Sequence, residues 1–255
     1  MNAKKTCLSI LTMVGFSLLF YASISGSKEA AKPPTLVPMK FDYSTPGVGV
    51  TKSNDIKFAL INPRFVTSFE QSKIDPYKTF ANSMGDDFVE MLTARGYPYV
   101  GPYNTIDDMV YSEKQTTDLV LEVEVDLQFT GNAIKQTSDY EILTSRTNYY
   151  YIYNGDMNLS GKITMIFSEP FTKTKVWVKS VSTEPITFFL DSQYKYKSKD
   201  IPVTDPKVWN TLVENLQKIY ENVISTSWKY LEPEELKVKK SESLEIKKNS
   251  GFQKK

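Results

Sequence analysis

The sequence predicts an α+β fold: a largely antiparallel β-sheet, with parallel pairs left open, and two long amphipathic helices packed on one face. Three stretches predict it. Residues 117–130 alternate apolar and acidic side chains, as a strand with one buried face does. Residues 75–95 and 205–224 instead repeat apolar side chains at helical spacing. One-sided helices need an apolar sheet face to cover.

Short strands are predicted before the first helix, over 39–43 and 56–61, because Asn62-Pro63 cannot continue a ladder. Asp75-Pro76 then begins the helix, since Asp accepts free amide hydrogens and Pro fits the first turn, and Gly96 ends it. A short strand over 97–100 and a short helix over 105–114 lead into the long strand.

The second half of the chain continues as strands. Residues 140–153 are rich in Tyr, Ile and Thr, and Asn154-Gly155 predicts a tight turn before a strand over 159–168. Residues 175–181 complete a hairpin with that strand, and 186–190 extend it. Asp205-Pro206 then repeats the helix-start pattern before the second long helix.

Four segments organise the chain. Residues 1–25 are predicted to be a signal peptide or an N-terminal membrane anchor, because Lys4 and Lys5 precede a mostly apolar run over 6–24. Residues 26–38 form a Pro- and Lys-rich spacer, 39–231 one α+β domain, and 232–255 a charged tail, either disordered or a charged helical extension. We expect export to the periplasm or to the cell envelope, including the outer membrane, with residues 6–24 as an anchor in the membrane-bound alternative.

The composition excludes several functions. The chain has no histidine, and its only cysteine, Cys7, lies in the apolar run. This composition excludes a Ser-His-Asp catalytic triad and a zinc site with His or Cys ligands. Lys plus Arg (31) nearly equals Asp plus Glu (30), so nucleic acid is not an expected partner. We therefore predict no enzyme, no cofactor and no metal.

Two groups of residues are candidate binding sites. Tyr149, Tyr150, Tyr151 and Tyr153 offer a flat aromatic platform for a sugar, although strand propensity explains the same residues without a ligand. Tyr194, Lys195, Tyr196 and Lys197 would suit an anionic sugar or an acidic partner. Glu122, Glu124 and Asp126 have the spacing of a glycosidase pair or a calcium site, but half-burial alone produces the same alternation.

Several stretches resemble the neuraminyllactose-binding haemagglutinin (HpaA-like) family of bacterial surface and flagellar-sheath lipoproteins. They run from F-D-Y-S-T-P at Phe41 to the L-Q-K-I-Y-E-N-V-I helix, and include I-N-P-R-F ending at Phe65, M-L-T-A-R-G-Y at Met91 and S-G-K-I-T-M-I-F-S-E-P at Ser160. The resemblance implies an envelope protein and binding of sialylated glycans. The chain departs from the family in two places: no cysteine follows the apolar run, and residues 131–138 retain only Lys135 of a basic motif.

These observations predict a non-enzymatic exported envelope protein that acts as a scaffold or partner-binding module. Its expected partners are an envelope protein or the cell wall, and the membrane through the N-terminal segment. A surface adhesin for sialylated host glycans is the alternative, and a carboxylate-dependent hydrolase is a third hypothesis.

Overall fold

The computed structural model describes residues 35–46, 53–66, 69–192 and 194–252, and Leu36–Lys255 forms one compact unit. The predicted signal peptide or anchor, including Cys7, and the spacer up to residue 34 lie outside the described residues. The strands are β1 Phe58–Ile61, β2 Arg64–Phe65, β3 Tyr99–Tyr103, β4 Leu119–Gly131, β5 Ile134–Glu141, β6 Arg146–Ser168, β7 Lys175–Ser182 and β8 Ile186–Asp191. The helices are α1 Tyr77–Ala94, α2 Tyr111–Thr116, α3 Pro206–Lys229 and α4 Pro233–Asn249.

The eight strands form one mixed sheet with the path β3-β1-β4-β6-β5, so the predicted long strand is β4 and lies at its centre. β1 runs parallel to both β3 and β4, and β2 also pairs in parallel with β4, whereas β6 is antiparallel to β4, β5, β7 and β8. The largely antiparallel expectation is correct only for the second half of the chain. The order β1, α1, β3 explains the parallel half, because a helix carries the chain back to start a strand in the same direction.

The predicted turn at Asn154-Gly155 is wrong. These residues lie inside β6, a strand of 23 residues, where Asn154 is opposite Asp191 and Gly155 opposite Leu190. Gly155 and Gly131 have φ of 148° and 137°, values that a side chain disfavours, and β4 leads into β5 beside this point. The two glycines therefore accommodate an irregularity where the partner of β6 changes from β4 to β5. The chain reverses at 142–145 instead.

The main core lies between one sheet face and the helices α1 and α3, as predicted. Leu119, Leu121, Val123, Val125 and Leu127 of β4 all point into it. A smaller core on the opposite face joins Val120 to the segment before α2. The predicted helix over 105–114 is split there into a 3₁₀ turn, Ile106–Asp108, and α2.

The charged C-terminal segment is a third long helix over Pro233–Asn249, which confirms the helical alternative for those residues and rules out the disordered one. Three of its side chains are buried, Leu236, Ser243 and Lys247. Lys247 donates hydrogen bonds to the carbonyls of Lys114 (3.0 Å) and Thr117 (2.7 Å). These few buried contacts dock a helix that is otherwise charged, and they join it to the segment around the end of α2.

The predicted strand over 39–43 has no ladder partner. Phe41 is instead buried between α1 and α3, with its ring 5.3 Å from Phe80 and 5.4 Å from Tyr220. The end of the spacer also belongs to the fold, because Val37 accepts a hydrogen bond from the Trp209 indole (3.1 Å). Among the helices in the described ranges, none combines the length and apolar character that crossing a bilayer requires.

Candidate functional site

A two-stranded extension, here called the ribbon arm, is formed by residues 134–153. β5 pairs with the first part of β6 from Ile134 opposite Tyr153 to Glu141 opposite Arg146. Most side chains of β5 are exposed, and the turn at the end carries Ile142 and Leu143. The arm thus continues the central strands of the sheet beyond the region that the helices cover.

The four tyrosines of the arm do not share one face. Side chains alternate along a strand, so Tyr150 points away from the face of Tyr149, Tyr151 and Tyr153. Tyr153 is fully buried in the main core and Tyr151 is half-buried, whereas Tyr149 is 60 % exposed. The continuous four-ring platform that the sequence suggested is therefore not formed.

Residues 194–204, here called the Tyr- and Lys-rich loop, dock against the base of the arm and so bring the two predicted groups together. The amide of Tyr151 donates to the carbonyl of Tyr196 (2.7 Å), and the amide of Tyr196 donates to the carbonyl of Tyr151 (2.9 Å). The hydroxyl of Tyr196 donates to Asp205 Oδ2 (2.9 Å). Burial raises the pKa of Tyr196, so this hydroxyl remains a donor at neutral pH.

Tyr153 holds the loop at Ser198 and Asp200. Its hydroxyl donates to the carbonyls of Asp200 (2.6 Å) and Ser198 (3.2 Å), and its ring lies edge-on to Tyr196 at 5.7 Å. Burial raises the pKa of Tyr153 as well. Its role in this structure is to hold the loop, because the ring itself is inaccessible.

The two lysines of the loop differ in their contacts. Lys195 Nζ lies 2.7 Å from both carboxylate oxygens of Asp139 and 5.7 Å from the centre of the Tyr150 ring. This pair is roughly half exposed, so its net contribution to stability is at most about 1 kcal/mol. Lys197 instead lines a cleft beside the loop. Tyr194 is 64 % exposed.

That cleft, here called the loop cleft, has a volume of about 530 Å³. The loop forms one wall and the 3₁₀ turn Glu70–Lys73 the other, and Gln71 joins them with a hydrogen bond to the carbonyl of Ile201 (3.1 Å). Polar lining comes from Glu70, Gln71, Lys197, Ser198, Asp200 and Thr204, and the remainder from Tyr196, Ile74, Ile201, Pro202 and Val203. The cleft therefore combines apolar surface with two carboxylates and one ammonium group.

Sequence reasoning identified Tyr196 and Lys197 but missed the rest of the lining. The missed residues directly precede the two Asp-Pro helix starts: Ile74 comes before Asp75, and Thr204 before Asp205. α1 and α3 begin at the same end of the sheet, so the segments that lead into them meet. The repeated Asp-Pro pattern was the available signal, but only the packing of both helices on one sheet face makes it meaningful.

The acidic face of β4 is occupied by a cation of the protein itself. Arg64 lies 3.0 Å from Glu124 and 3.4 Å from Glu122, beside β4 in parallel register. Asp126 accepts a hydrogen bond from Gln128 (3.1 Å). Within the described ranges no three or more carboxylate, histidine or cysteine side chains are grouped as a metal site would need. Solvation and pairing with Arg64 account for this acidic row.

The sequence matches no protein-family model and no curated protein. The structure is similar to that of a neuraminyllactose-binding haemagglutinin homologue from Helicobacter pylori, with a TM-score of 0.57 and 16 % identity over 82 % of this chain and 100 % of that one. This likeness shows a shared fold. At 16 % identity it transfers no ligand.

Two lipoprotein structures also align. Lipoprotein GNA1162 from Neisseria meningitidis gives a TM-score of 0.27 at 12 % identity, over 55 % of this chain and 87 % of that one. A minor lipoprotein from Acinetobacter baumannii gives 0.23 at 11 %, over 69 % and 96 %. TM-scores this low add nothing to the fold assignment.

Proposed function

We propose that this chain is a non-enzymatic exported envelope protein that binds an envelope protein or cell-wall partner through the loop cleft. The observation that carries the proposal is the prebuilt wall of the cleft. Backbone bonds between Tyr151 and Tyr196 and the buried hydroxyl of Tyr153 hold the loop in place. A recess that is already ordered loses little conformational entropy when a partner binds.

The chemistry of the cleft favours one kind of partner surface. Ile74, Ile201 and Val203 offer apolar contact, and Ile74 is 45 % exposed. Glu70 and Asp200 outnumber Lys197, so the lining carries more negative than positive charge. A segment that presents an apolar side chain beside a basic group fits this combination better than an anionic one does.

The N-terminal sequence supports export. Lys4 and Lys5 precede the apolar run over 6–24, a pattern typical of a signal peptide or an anchor. The fold shared with the Helicobacter pylori protein agrees with this location, because that protein is named as a haemagglutinin homologue. In the anchored form the membrane itself would be a partner through residues 6–24.

A non-enzymatic role is supported by the side-chain inventory and by the carboxylates. The sequence has no histidine to serve as a general base. Glu122 and Glu124, the acids spaced as a catalytic pair would be, lie within salt-bridge distance of Arg64. Unchanged partner binding in Glu122→Gln and Glu124→Gln variants, with no hydrolytic activity in the parent, is the result that this role predicts.

A charge-reversal pair tests the cleft. Glu70 is exposed and lines it, whereas Glu184 is also exposed but lies outside the lining. We expect Glu70→Lys to reduce recovery of the native partner from envelope extracts severalfold, because it repels the partner's basic group, and Glu184→Lys to leave recovery unchanged. Equal recovery with both variants, or no stoichiometric partner with the parent protein, would contradict the proposal.

The adhesin for sialylated glycans is the second candidate, and one observation favours it. Tyr196 and Lys197 lie together in the lining, an aromatic ring and an ammonium group of the kind that a sialoside needs. Glu70 and Asp200 in the same cleft oppose an anionic sugar. Saturable binding of sialyllactose that Lys197→Glu abolishes would replace the first proposal with this one.

A further inference from the structure

The turn at the end of the ribbon arm exposes two adjacent aliphatic side chains. Ile142 is 83 % exposed and Leu143 is 95 % exposed, the highest values among the large apolar residues of the described structure. We propose that this tip inserts into the lipid bilayer to which the chain is tethered. This inference rests on the anchored form given under the proposed function, and the surface concerned is separate from the loop cleft.

Aromatic residues stand directly behind the tip. Tyr140 and Tyr149 are 63 % and 60 % exposed. Tyr140 is opposite Thr147 and Ser138 is opposite Tyr149, so the two rings are diagonal neighbours on one face of the arm. Tyrosine has an apolar ring and a polar hydroxyl, and it is enriched where hydrocarbon meets headgroups. Aliphatic residues at the end with tyrosines behind them match that boundary.

The charges around the tip balance. Glu141 is opposite Arg146 in the β5–β6 register, and Asp139 is paired with Lys195. No excess of positive charge is left to bind anionic headgroups. Insertion is therefore driven by burial of apolar side chains and does not require anionic lipid.

The start of the described chain lies at the end of the domain from which the arm projects. The amide of Val37 donates to Asn210 Oδ1 (2.7 Å) and its carbonyl accepts from Trp209, both near the start of α3. Asp205, just before α3, accepts from Tyr196 at the base of the arm. Val37 and the base of the arm thus lie at the same end of the domain.

The lengths of the tether and the arm are compatible with one membrane. About a dozen residues separate the apolar run, ending at Ile24, from Val37, and they span at most roughly 45 Å when extended. The arm continues from Tyr151 to Leu143, or about 26 Å at the rise of a strand. A bilayer that holds the N-terminal segment is therefore within reach of the tip.

A protein partner is a weaker explanation for the tip. A stable protein interface takes about 800 Å² from each side, far more than one four-residue turn offers. Insertion of two aliphatic side chains is also weak alone, but a tether supplies a high effective concentration of membrane. The tip therefore suits the membrane that holds the N-terminal anchor, because that membrane is always nearby.

The test uses the full chain with Cys7→Ser in vesicles of phosphatidylcholine and phosphatidylethanolamine. One protein carries Leu143→Cys labelled with an environment-sensitive fluorophore, and the control carries the label at Val238→Cys on α4, where the side chain is 57 % exposed. Both sites are exposed, so labelling leaves the fold intact, which thermal unfolding checks. Lipids with a quencher on the acyl chain report depth.

Insertion predicts a blue shift and loss of fluorescence at position 143 and neither change at position 238. Ile142→Asp, introduced beside the label, is expected to reverse most of the quenching. Three results would overturn the proposal: equal signals at both positions, no quenching at position 143, or a response at position 143 only when envelope proteins are added without lipid.

Discussion

The backbones of Tyr151 and Tyr196 exchange two hydrogen bonds, 2.7 and 2.9 Å long, across 45 residues of chain. This short antiparallel contact joins the ribbon arm to the loop that walls the cleft. The loop is thereby positioned by the central strands of the sheet. Changes at its buried hydroxyls should consequently affect stability as well as binding.

Tyr196→Phe tests that connection. The substitution removes the hydroxyl that donates to Asp205, a carboxylate only 4 % exposed. We expect the free energy of unfolding to fall by about 1 kcal/mol in urea titrations, since a buried acceptor loses a donor. Tyr194→Phe, at a site 64 % exposed, should change it by less than about 0.5 kcal/mol. Equal effects would show that the loop is not held in this way.

Asp87 predicts a specific dependence of stability on pH. Burial raises the pKa of Asp87 from 3.8 to about 6, although the Tyr220 hydroxyl, which donates to it at 2.6 Å, acts in the opposite direction. The folded state keeps this proton up to about pH 6, whereas the unfolded state releases it near pH 4. Between these values the group destabilises the fold as pH rises, by up to about 3 kcal/mol.

Asp87→Asn should remove this contribution. Its free energy of unfolding, relative to the parent, is expected to rise progressively between pH 4 and 6 and then to remain higher at pH 7. The exposed neighbour Asp86 supplies the control, and Asp86→Asn should follow the parent. A constant difference between Asp87→Asn and the parent over this range would contradict the assignment.

Gly161 permits close packing of α3 on β6. A Cβ built there would lie 2.6 Å from Cγ2 of Ile219. Gly161→Ala is expected to cost about 1–3 kcal/mol through overpacking. In an Ile219→Ala background the same substitution should cost much less, because the opposing atoms are gone. An unchanged cost in the double variant would place the effect elsewhere.

Lys247 is expected to control the docking of α4. Burial lowers the pKa of its ammonium group, with the charges of Glu169 and Asp118 acting in the opposite direction, and the group bonds to carbonyls at the end of α2. Lys247→Met should cost about 3 kcal/mol, because buried partners lose a charged donor. Hydrogen exchange over 233–249 should accelerate in this variant and not in Lys248→Met, whose side chain is exposed. Unaltered exchange would exclude the docking role.

The sequence was sufficient for elements whose own periodicity reflects one buried face. β4, α1 and α3 are of this kind, and the Asp-Pro pairs located both helix starts. Asn154-Gly155 was misread because turn propensity is local, whereas pairing with Asp191 and Leu190 keeps these residues in a strand. For α4 the sequence left disorder and a charged helix both open, because only Leu236, Ser243 and Lys247 are buried, too few to show a period.

Only part of the candidate site could be predicted from the sequence. Tyr196 and Lys197 stood out by composition, whereas Glu70 and Ile74 have no local signal and join them only through the fold. Tyr153 looked the same as Tyr149 in the sequence, yet one is buried and the other exposed. Burial of a strand residue beyond the helices depends on where the loop docks, which no periodicity encodes.

Site-specific photo-crosslinking in the native envelope tests whether the loop cleft binds a partner. A photoreactive amino acid is placed at Thr204, an exposed residue in the cleft lining, and in a second protein at Val110, which is 57 % exposed and lies outside the lining. We expect one dominant adduct with an envelope protein or wall fragment at position 204, lost with Glu70→Lys, and none at position 110. The same adducts at both positions, or none at position 204, would contradict it.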